Sequence, residues 1–295
     1  MSKFSYVVKF DDSGYSVKDI LRLNFSFSAR MMTRFKQNGC IRLNGNVVRI
    51  NVLPAPNDVI SISLPDEKSG FAPEDVPISP VFEDDDILII DKPAGYTVHP
   101  TKGHPSHTIA NGLANYIIDT NQSFKIRFVN RLDMDTSGLL IISKNAYCQE
   151  NIVKQMDENK VVKKYLSVVK GVLKEDSGTI DAPIGHDPKI ARRSVTPDGY
   201  PSVTRFKTLE RYKKGFSLLE LTLETGRTHQ IRVHLSYIGH PVVGDHLYGG
   251  ENVLLIERQA LHAHYISFYH PITGELVESF SEMPADIREL INRIK

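Results

Sequence analysis

The stretch "VNRLDMDTSGLLII", residues 129–142, joins a polar segment to an unbroken apolar run. The apolar half has the length and composition of a buried strand. The polar half contains Arg131, Asp133 and Asp135 and directly precedes that strand. A carboxylate in such a place has its backbone fixed by the sheet, and its side chain can project from the sheet's rim into a cleft. The stretch therefore predicts a rigidly anchored polar site beside a buried strand.

The length and composition set the limits around this stretch. The chain has 295 residues, of which 41% are hydrophobic and 24% charged, enough for a large and a small domain. No apolar run approaches the roughly 18 residues of a membrane span, and the first residues lack the apolar core of a secretory signal. Two cysteines, Cys40 and Cys148, cannot form a disulfide framework or a four-thiolate metal site. We expect a cytoplasmic monomer with no membrane partner.

The net charge of +1 hides an uneven distribution. Residues 1–64 carry nine Lys and Arg against four Asp, whereas residues 65–86 carry eight acids against one Lys. This pattern predicts a small basic domain over residues 1–64, an acidic Pro-containing linker over 65–80 and a larger domain over 81–295. A small basic domain of this kind favours a polyanionic partner.

Residues 1–64 contain clear local signals of secondary structure. Ser28 is placed to cap a helix from Ala29 to Asn38, and Asn44-Gly45 between two β-prone arms predicts a hairpin. The helix places Arg30 and Arg34 on one face, with Lys36 following. These three residues are the candidate RNA contacts of a small α/β unit. An ordinary solvated helix face remains the alternative explanation for them.

The larger part of the chain alternates strand and helix patterns. Residues 161–171 read as a strand, residues 202–226 as a long hairpin turning at "KKG", and residues 227–239 as a helix. Long hairpins flanked by helices favour an α+β fold with a mixed, mostly antiparallel sheet over a doubly wound parallel sheet.

Several kinds of chemistry are disfavoured by the motifs. Neither "GxxxxGK[ST]" nor "GxGxxG" occurs, so no nucleotide cofactor is implied, and the histidines lack the "HExxH" spacing of a zinc site. Asp133 and Asp135, two residues apart on an extended segment, would point the same way, whereas glycoside hydrolysis needs a carboxylate on each side of the bond. A single carboxylate in a cleft would need a nearby cation, and Arg227 is the candidate. A polar turn without catalytic function remains the alternative.

Six motifs together resemble the RluA/RluD-type pseudouridine synthase family. They occur in order over about 180 residues. The motifs are "KPAGYTVHP" (92–100), "RLDMDTSGLLI" (131–141), "KKYLSVVKG" (163–171), "TGRTHQIRVHL" (225–235), "GHPVVGDHLYG" (239–249) and "LHAHYISFYHP" (261–271). The resemblance implies the pseudouridine synthase fold and isomerisation of uridine in RNA without a cofactor or metal. The small basic domain similarly resembles the RNA-binding domain named after ribosomal protein S four.

The resemblance also implies residue roles. Asp133 matches the catalytic aspartate, which acts either as a nucleophile at the anomeric carbon or as a base that generates a glycal. Arg131 matches the arginine that fills the space left by the flipped nucleotide, and Tyr165 matches the tyrosine that packs on the flipped base. Arg227 is matched to the basic residue paired with the aspartate. His229, Gln230, Arg232 and His234 are left without a role.

Asn130 departs from the family pattern, because many relatives carry His before "RLD". An amide can donate and accept hydrogen bonds but cannot carry a charge. The implied partner is RNA, with ribosomal RNA as the leading substrate and transfer RNA as the other possibility. A non-catalytic RNA-binding or RNA-folding factor is the alternative function.

Overall fold

The computed structural model describes residues 3–25, 27–64, 67–186, 192–249 and 255–295. The first part of the chain forms a four-stranded antiparallel sheet in the order β1-β4-β2-β3, packed against two helices. Its elements are β1 (Lys3–Val7), α1 (Val17–Phe25), α2 (Ala29–Gln37), β2 (Ile41–Leu43), β3 (Asn46–Val47) and β4 (Val59–Ser63).

Local signals in this part have the predicted effect. The Ser28 hydroxyl accepts a hydrogen bond from the Met31 amide at 3.2 Å, so α2 begins where the cap was predicted. Asn44 and Gly45 both have positive φ, at 50° and 84°, and join β2 to β3 in a tight hairpin. Both sequence predictions are confirmed.

The described residues from 67 onward form one ten-stranded sheet and a separate two-stranded ribbon. The strands are β5 (Pro80–Glu83), β6 (Ile87–Lys92), β7 (Arg127–Phe128), β8 (Ser137–Ser143), β9 (Val162–Lys170), β10 (Ser177–Asp181), β11 (Ile184–His186), β12 (Arg193–Val195), β13 (Val203–Tyr212), β14 (Phe216–Leu223), β15 (Leu261–Tyr269) and β16 (Leu276–Phe280). The helices are α3 (Ile109–Asp119), α4 (Ala146–Asp157), α5 (Gln230–Tyr237) and α6 (Ala285–Ile294). Within the described ranges, no helix is long and apolar enough to cross a membrane.

The large sheet is mixed but mostly antiparallel. Its main path runs β10-β13-β14-β9-β15-β8-β6-β5, with β16 paired to β15 and β7 paired to β8. Among the pairings between described strands in this sheet, only β8 with β15 is parallel. The predicted α+β class is therefore confirmed.

Strand β8 explains the apolar run of residues 139–142. Leu140 and Ile142 face one core cluster, and Leu139 and Ile141 face a second cluster on the other side of the sheet. All seven residues of β8 are buried, because the sheet is covered on both faces. Gly138 has φ 111° and lies so close to β15 that a Cβ would sit 2.2 Å from the Ala263 carbonyl oxygen. The strand carrying the polar segment is thus fixed at the centre of the fold.

The first part of the chain packs directly against α4. The Tyr147 ring lies 4.7 Å from the ring of Phe4 and 5.3 Å from that of Phe27, both in edge-to-face contact. Glu67, in the acidic segment, forms ion pairs with both Arg34 and Arg127. Aromatic packing and a shared carboxylate therefore hold the two parts together.

Candidate active site

The loop between Arg131 and β8 is held through its backbone carbonyls. The Met134 carbonyl accepts hydrogen bonds from the Gly95 amide at 3.0 Å and from the Lys92 ammonium at 2.8 Å. Arg258 donates to the Asp135 carbonyl at 2.9 Å. Because neighbouring segments hydrogen-bond to the backbone of this loop, the Asp133 side chain projects from a rigid support.

Lys92 is the centre of this support. Its side chain is fully buried, and its ammonium donates to the carbonyls of Pro93, Tyr96 and Met134 at 2.8, 2.9 and 2.8 Å. The three N–H groups of an ammonium match these three acceptors. Burial lowers the pKa of Lys92 to about 7, while the charges of Asp135 and Asp133 oppose that shift. This lysine joins the "KPAG" and "RLDMD" segments.

The Asp133 carboxylate is paired with Arg232. Its Oδ2 accepts a hydrogen bond from Arg232 Nη1 at 2.9 Å. The same guanidinium donates to both oxygens of Asp245, from Nε at 2.7 Å and from Nη2 at 3.0 Å. Asp245 is fully buried and also accepts the amides of Leu247 and Tyr248. A buried, doubly bonded arginine therefore presents one N–H to Asp133 in a fixed direction.

The predicted pairing of Arg227 with Asp133 is wrong. Arg227 donates to the Pro201 carbonyl at 3.4 Å and lies over the Tyr200 ring, with its Cζ 5.4 Å from the ring centre. Arg227 lies in the turn before α5. Arg232 lies within α5, on the face that is turned to the loop between Arg131 and β8. The arginine that pairs with Asp133 is Arg232, five residues further on in the same motif.

The turn before α5 is held by Gln230 and His229. Gln230 is buried, accepts from the Arg227 amide and donates to the Val203 carbonyl, each at 3.0 Å. His229 has φ 58°, shares a 3.0 Å hydrogen bond with the Tyr248 hydroxyl and places Nε2 3.9 Å from Asp133 Oδ1. Burial lowers the pKa of His229, so the imidazole stays neutral at physiological pH.

Asp133 opens into a cavity of about 310 Å³. Tyr165, in β9, is only 6% exposed and lines the cavity together with Arg131 and Arg227. Burial and the charge of Asp133 raise the pKa of the Tyr165 hydroxyl, so it remains protonated at neutral pH. The volume is at the lower end of ligand pockets and suits one nucleoside better than a larger group.

The structure separates the two carboxylates of the opening stretch. Asp133 lines the cavity with Tyr165, whereas Asp135 lines a different depression beside Arg258. Arg131 is exposed at the cavity's edge. The Asn130 amide accepts from the Ile141 N–H at 2.8 Å and donates to the Leu139 carbonyl at 3.3 Å. Asn130 thus extends the hydrogen bonding of β8 rather than acting as a proton carrier.

One cluster of possible metal ligands lies away from this cavity. Donor atoms of Asp84, Asp86 and His270 lie within 4.8 Å of one another. The Nδ1 atom of His270 accepts backbone N–H groups from Ile272 and Thr273, so the neutral ring carries its proton on Nε2, which lies 3.0 Å from Asp84 Oδ2. A protonated Nε2 has no lone pair for a cation, so the His270 ring is not a metal ligand in this arrangement.

Comparison with known proteins assigns the class. The sequence model of the family described as RNA pseudouridylate synthase matches residues 86–237, a range that includes Asp133, Tyr165 and Arg232. The chain belongs to this family. It is therefore an RNA pseudouridine synthase, an isomerase, and the family match does not favour the alternative of a non-catalytic RNA-folding factor.

Named relatives cover nearly the whole chain. The chain is 40% identical over 274 residues to "Uncharacterized RNA pseudouridine synthase YlyB" of Bacillus subtilis (strain 168), covering 91% of this chain and 90% of the relative. It is 35% identical over 300 residues to "Ribosomal large subunit pseudouridine synthase D" of Haemophilus ducreyi, covering 96% and 91%. The solved structure titled "Human RNA Pseudouridylate Synthase Domain Containing 1" is 29% identical with a TM-score of 0.58, covering 70% of this chain and 83% of that one.

Proposed function

We propose that this pseudouridine synthase isomerises specific uridines of large-subunit ribosomal RNA and that Asp133 is its catalytic residue. The observation that carries the assignment of Asp133 is its 2.9 Å contact with a buried arginine at the edge of a nucleoside-sized cavity. The RNA class is supported by the relative named for the large ribosomal subunit, which aligns with 96% of the chain. Transfer RNA is the other substrate class to be tested.

The geometry supports a sequence of steps. The target uridine flips into the cavity, and Arg131, exposed at its edge, occupies the vacated place in the stack. Asp133 then acts at the sugar, as nucleophile at C1′ or as base at C2′, while the bond from C1′ to N1 breaks. The uracil turns and rejoins C1′ through C5; the bond to Asp133 breaks in the first route, the proton returns to C2′ in the second, and in both the proton on C5 is lost. Arg232 orients the carboxylate throughout these steps.

The Tyr165 ring provides a surface against which the flipped base packs. Its ring lies in the cavity, and its protonated hydroxyl can donate a hydrogen bond but is a poor proton acceptor. We therefore assign removal of the C5 proton to a different group, with Asp133, the only acid among the described lining residues, as the candidate. Arg227, which lines the cavity and lies over Tyr200, is placed to contact RNA and retains its proposed substrate-binding role.

The remaining parts of the proposal concern the whole chain. Residues 1–64 act as a small RNA-binding domain, residues 65–80 as a linker and residues 81–295 as the catalytic domain, in a cytoplasmic monomer. Arg30 and Lys36 are exposed on α2 and available to RNA. Arg34 is engaged by Glu67, so RNA must compete with that carboxylate to reach it.

Mapping pseudouridines in ribosomal and transfer RNA, with and without the gene, tests the substrate. We expect sites in large-subunit ribosomal RNA to lose the modification when the gene is deleted and to regain it with the wild-type gene. Loss confined to transfer RNA would assign the other substrate class. An unchanged map in both RNAs would contradict the proposal.

A further inference from the structure

Lys163 is a cation of the cavity that the family comparison leaves without a role. It lies at the start of β9, two residues before Tyr165, so the two side chains point to the same face of the strand. Both line the cavity. The ammonium lies beside Gly226, where a Cβ would be 3.9 Å from Lys163 Nζ. Lys163 therefore faces the space that the target nucleotide would occupy.

The neighbouring lysine is accounted for differently. Lys164 points to the other face of β9, where its Nζ lies 3.3 Å from Glu220 and over the Tyr265 ring. Lys163, by contrast, makes no hydrogen bond or ion pair with any residue in the described ranges. The two adjacent lysines thus differ in whether an anion of the protein compensates them.

No acid among the described lining residues of the cavity forms an ion pair with Lys163. Asp133 is the only acid among the described lining residues, and it is already bonded to Arg232. Burial lowers the pKa of the Lys163 ammonium, with no opposing charge to raise it. Holding an uncompensated cation in a half-buried place is unfavourable, so a ligand that brings a negative charge gains more there than in water.

We propose that Lys163 binds a backbone phosphate of the RNA at the flipped uridine. A uracil carbonyl would offer a partial charge only, whereas a phosphate oxygen carries the full charge that the site lacks. Arg131 and Arg227 line the same cavity, so its described lining carries more cations than acids and suits an anionic ligand. The inference deepens the proposed function and rests on it, because it names the part of the RNA that this face of β9 holds.

The test compares Lys163→Met, Lys163→Arg and the matched control Lys164→Met. The probe is large-subunit ribosomal RNA from cells that lack the gene, tritiated at C5 of uridine. We expect Lys163→Met to raise KM roughly tenfold or more with kcat within about twofold, since a charge-assisted contact is lost in binding. Lys163→Arg should recover most of the affinity, and Lys164→Met should behave as wild type.

The salt dependence of RNA binding separates a phosphate contact from a structural role. For Lys163→Met the slope of log K against log salt should become shallower by about 0.7 to 0.9, the change expected for one phosphate contact. The melting temperature should not fall, because methionine replaces an unpaired cation. An unchanged KM and slope, or a loss of kcat at constant slope, would overturn the inference. A wild-type protein that releases no tritium would overturn the proposed function instead, while the binding slope would still decide the role of Lys163.

Discussion

Arg232 donates a hydrogen bond to Asp133 at 2.9 Å, and the same guanidinium also donates to both carboxylate oxygens of Asp245. The pair is asymmetric, because Asp245 is fully buried whereas the Asp133 side chain is 25% exposed to the cavity. A fully buried carboxylate that keeps Arg232 in place leaves Asp133 accessible to substrate. The arginine therefore orients the reacting group without covering it.

Replacing Arg232 should remove activity and stability together. Arg232→Met leaves the Asp245 carboxylate buried without its ion pair, which should lower the free energy of unfolding by roughly 3–5 kcal/mol. We expect Asp245→Asn, which weakens the hold on Arg232, to fold and to lower kcat by roughly tenfold or more, since Asp133 loses its fixed orientation.

Tritium release measures the loss of kcat, and urea unfolding measures the loss of unfolding free energy. Arg227→Met is the control and should alter KM more than kcat; a larger kcat loss in Arg227→Met than in Asp245→Asn would contradict the pairing.

Lys92 should matter for the shape of the site rather than for contact with RNA. Lys92→Met leaves the Pro93, Tyr96 and Met134 carbonyls without their shared donor, so we expect a loss of roughly 3–5 kcal/mol in unfolding free energy. Urea denaturation measures this loss. Lys102→Met, an exposed change in the following loop, should have almost no effect. Equal stability of Lys92→Met and wild type would show that the three carbonyls do not depend on the ammonium.

Gly138 should tolerate no side chain. Alanine there would place a Cβ 2.2 Å from the Ala263 carbonyl oxygen at φ 111°, so β8 and β15 would have to separate. We expect Gly138→Ala to lower the unfolding free energy by roughly 2–4 kcal/mol and to reduce kcat, because the shift reaches the Asp133 loop. Gly70→Ala, where no atom lies within 4 Å of the added Cβ, is the control. Similar melting temperatures for the two variants would contradict this packing.

Acid should destabilise the protein before its carboxylates titrate. Burial lowers the pKa values of His99, His229, His234, His262 and His264. Below about pH 6.5 the unfolded chain binds protons that the folded chain does not, so stability falls as the pH falls through that window. We expect an unfolding free energy at pH 5.5 lower by at least about 1 kcal/mol than at pH 7.5.

Two variants test the source of that pH dependence. His234→Gln should reduce it, because His234 is fully buried between Thr204 and the Ala182 carbonyl. His104→Gln, at an exposed position, should leave it unchanged. A wild-type unfolding free energy that stays constant from pH 7.5 to 5.5 would contradict the lowered pKa values of the buried histidines.

The sequence was sufficient for features set by neighbouring residues. The cap at Ser28, the Asn44-Gly45 hairpin and strand β9 follow from local chemistry, and each forms as predicted. The motif resemblance led to Asp133, but the spacing of its two carboxylates could not choose between them. Their different surroundings arise only when "KPAG" and the segment around Arg258 fold against the loop.

The arginine that pairs with Asp133 could be identified only from the folded structure. Arg227 and Arg232 lie in one motif, and nothing in their spacing shows which one turns towards a loop about 100 residues earlier in the chain. The available signal was Asp245 in "GDHLYG", a second acid that could hold an arginine from behind. Asn130 is likewise explained by its two hydrogen bonds to β8. Contacts between distant segments therefore decided what local patterns left open.

The catalytic assignment of Asp133 is tested most directly by tritium release from C5-labelled ribosomal RNA with Asp133→Asn. The amide keeps the size of the carboxylate and can still accept from Arg232, so folding and RNA affinity should stay close to those of the wild type. We expect the release rate to fall by at least about 10³-fold. A folded Asp133→Asn protein that releases tritium at the wild-type rate would contradict the assignment.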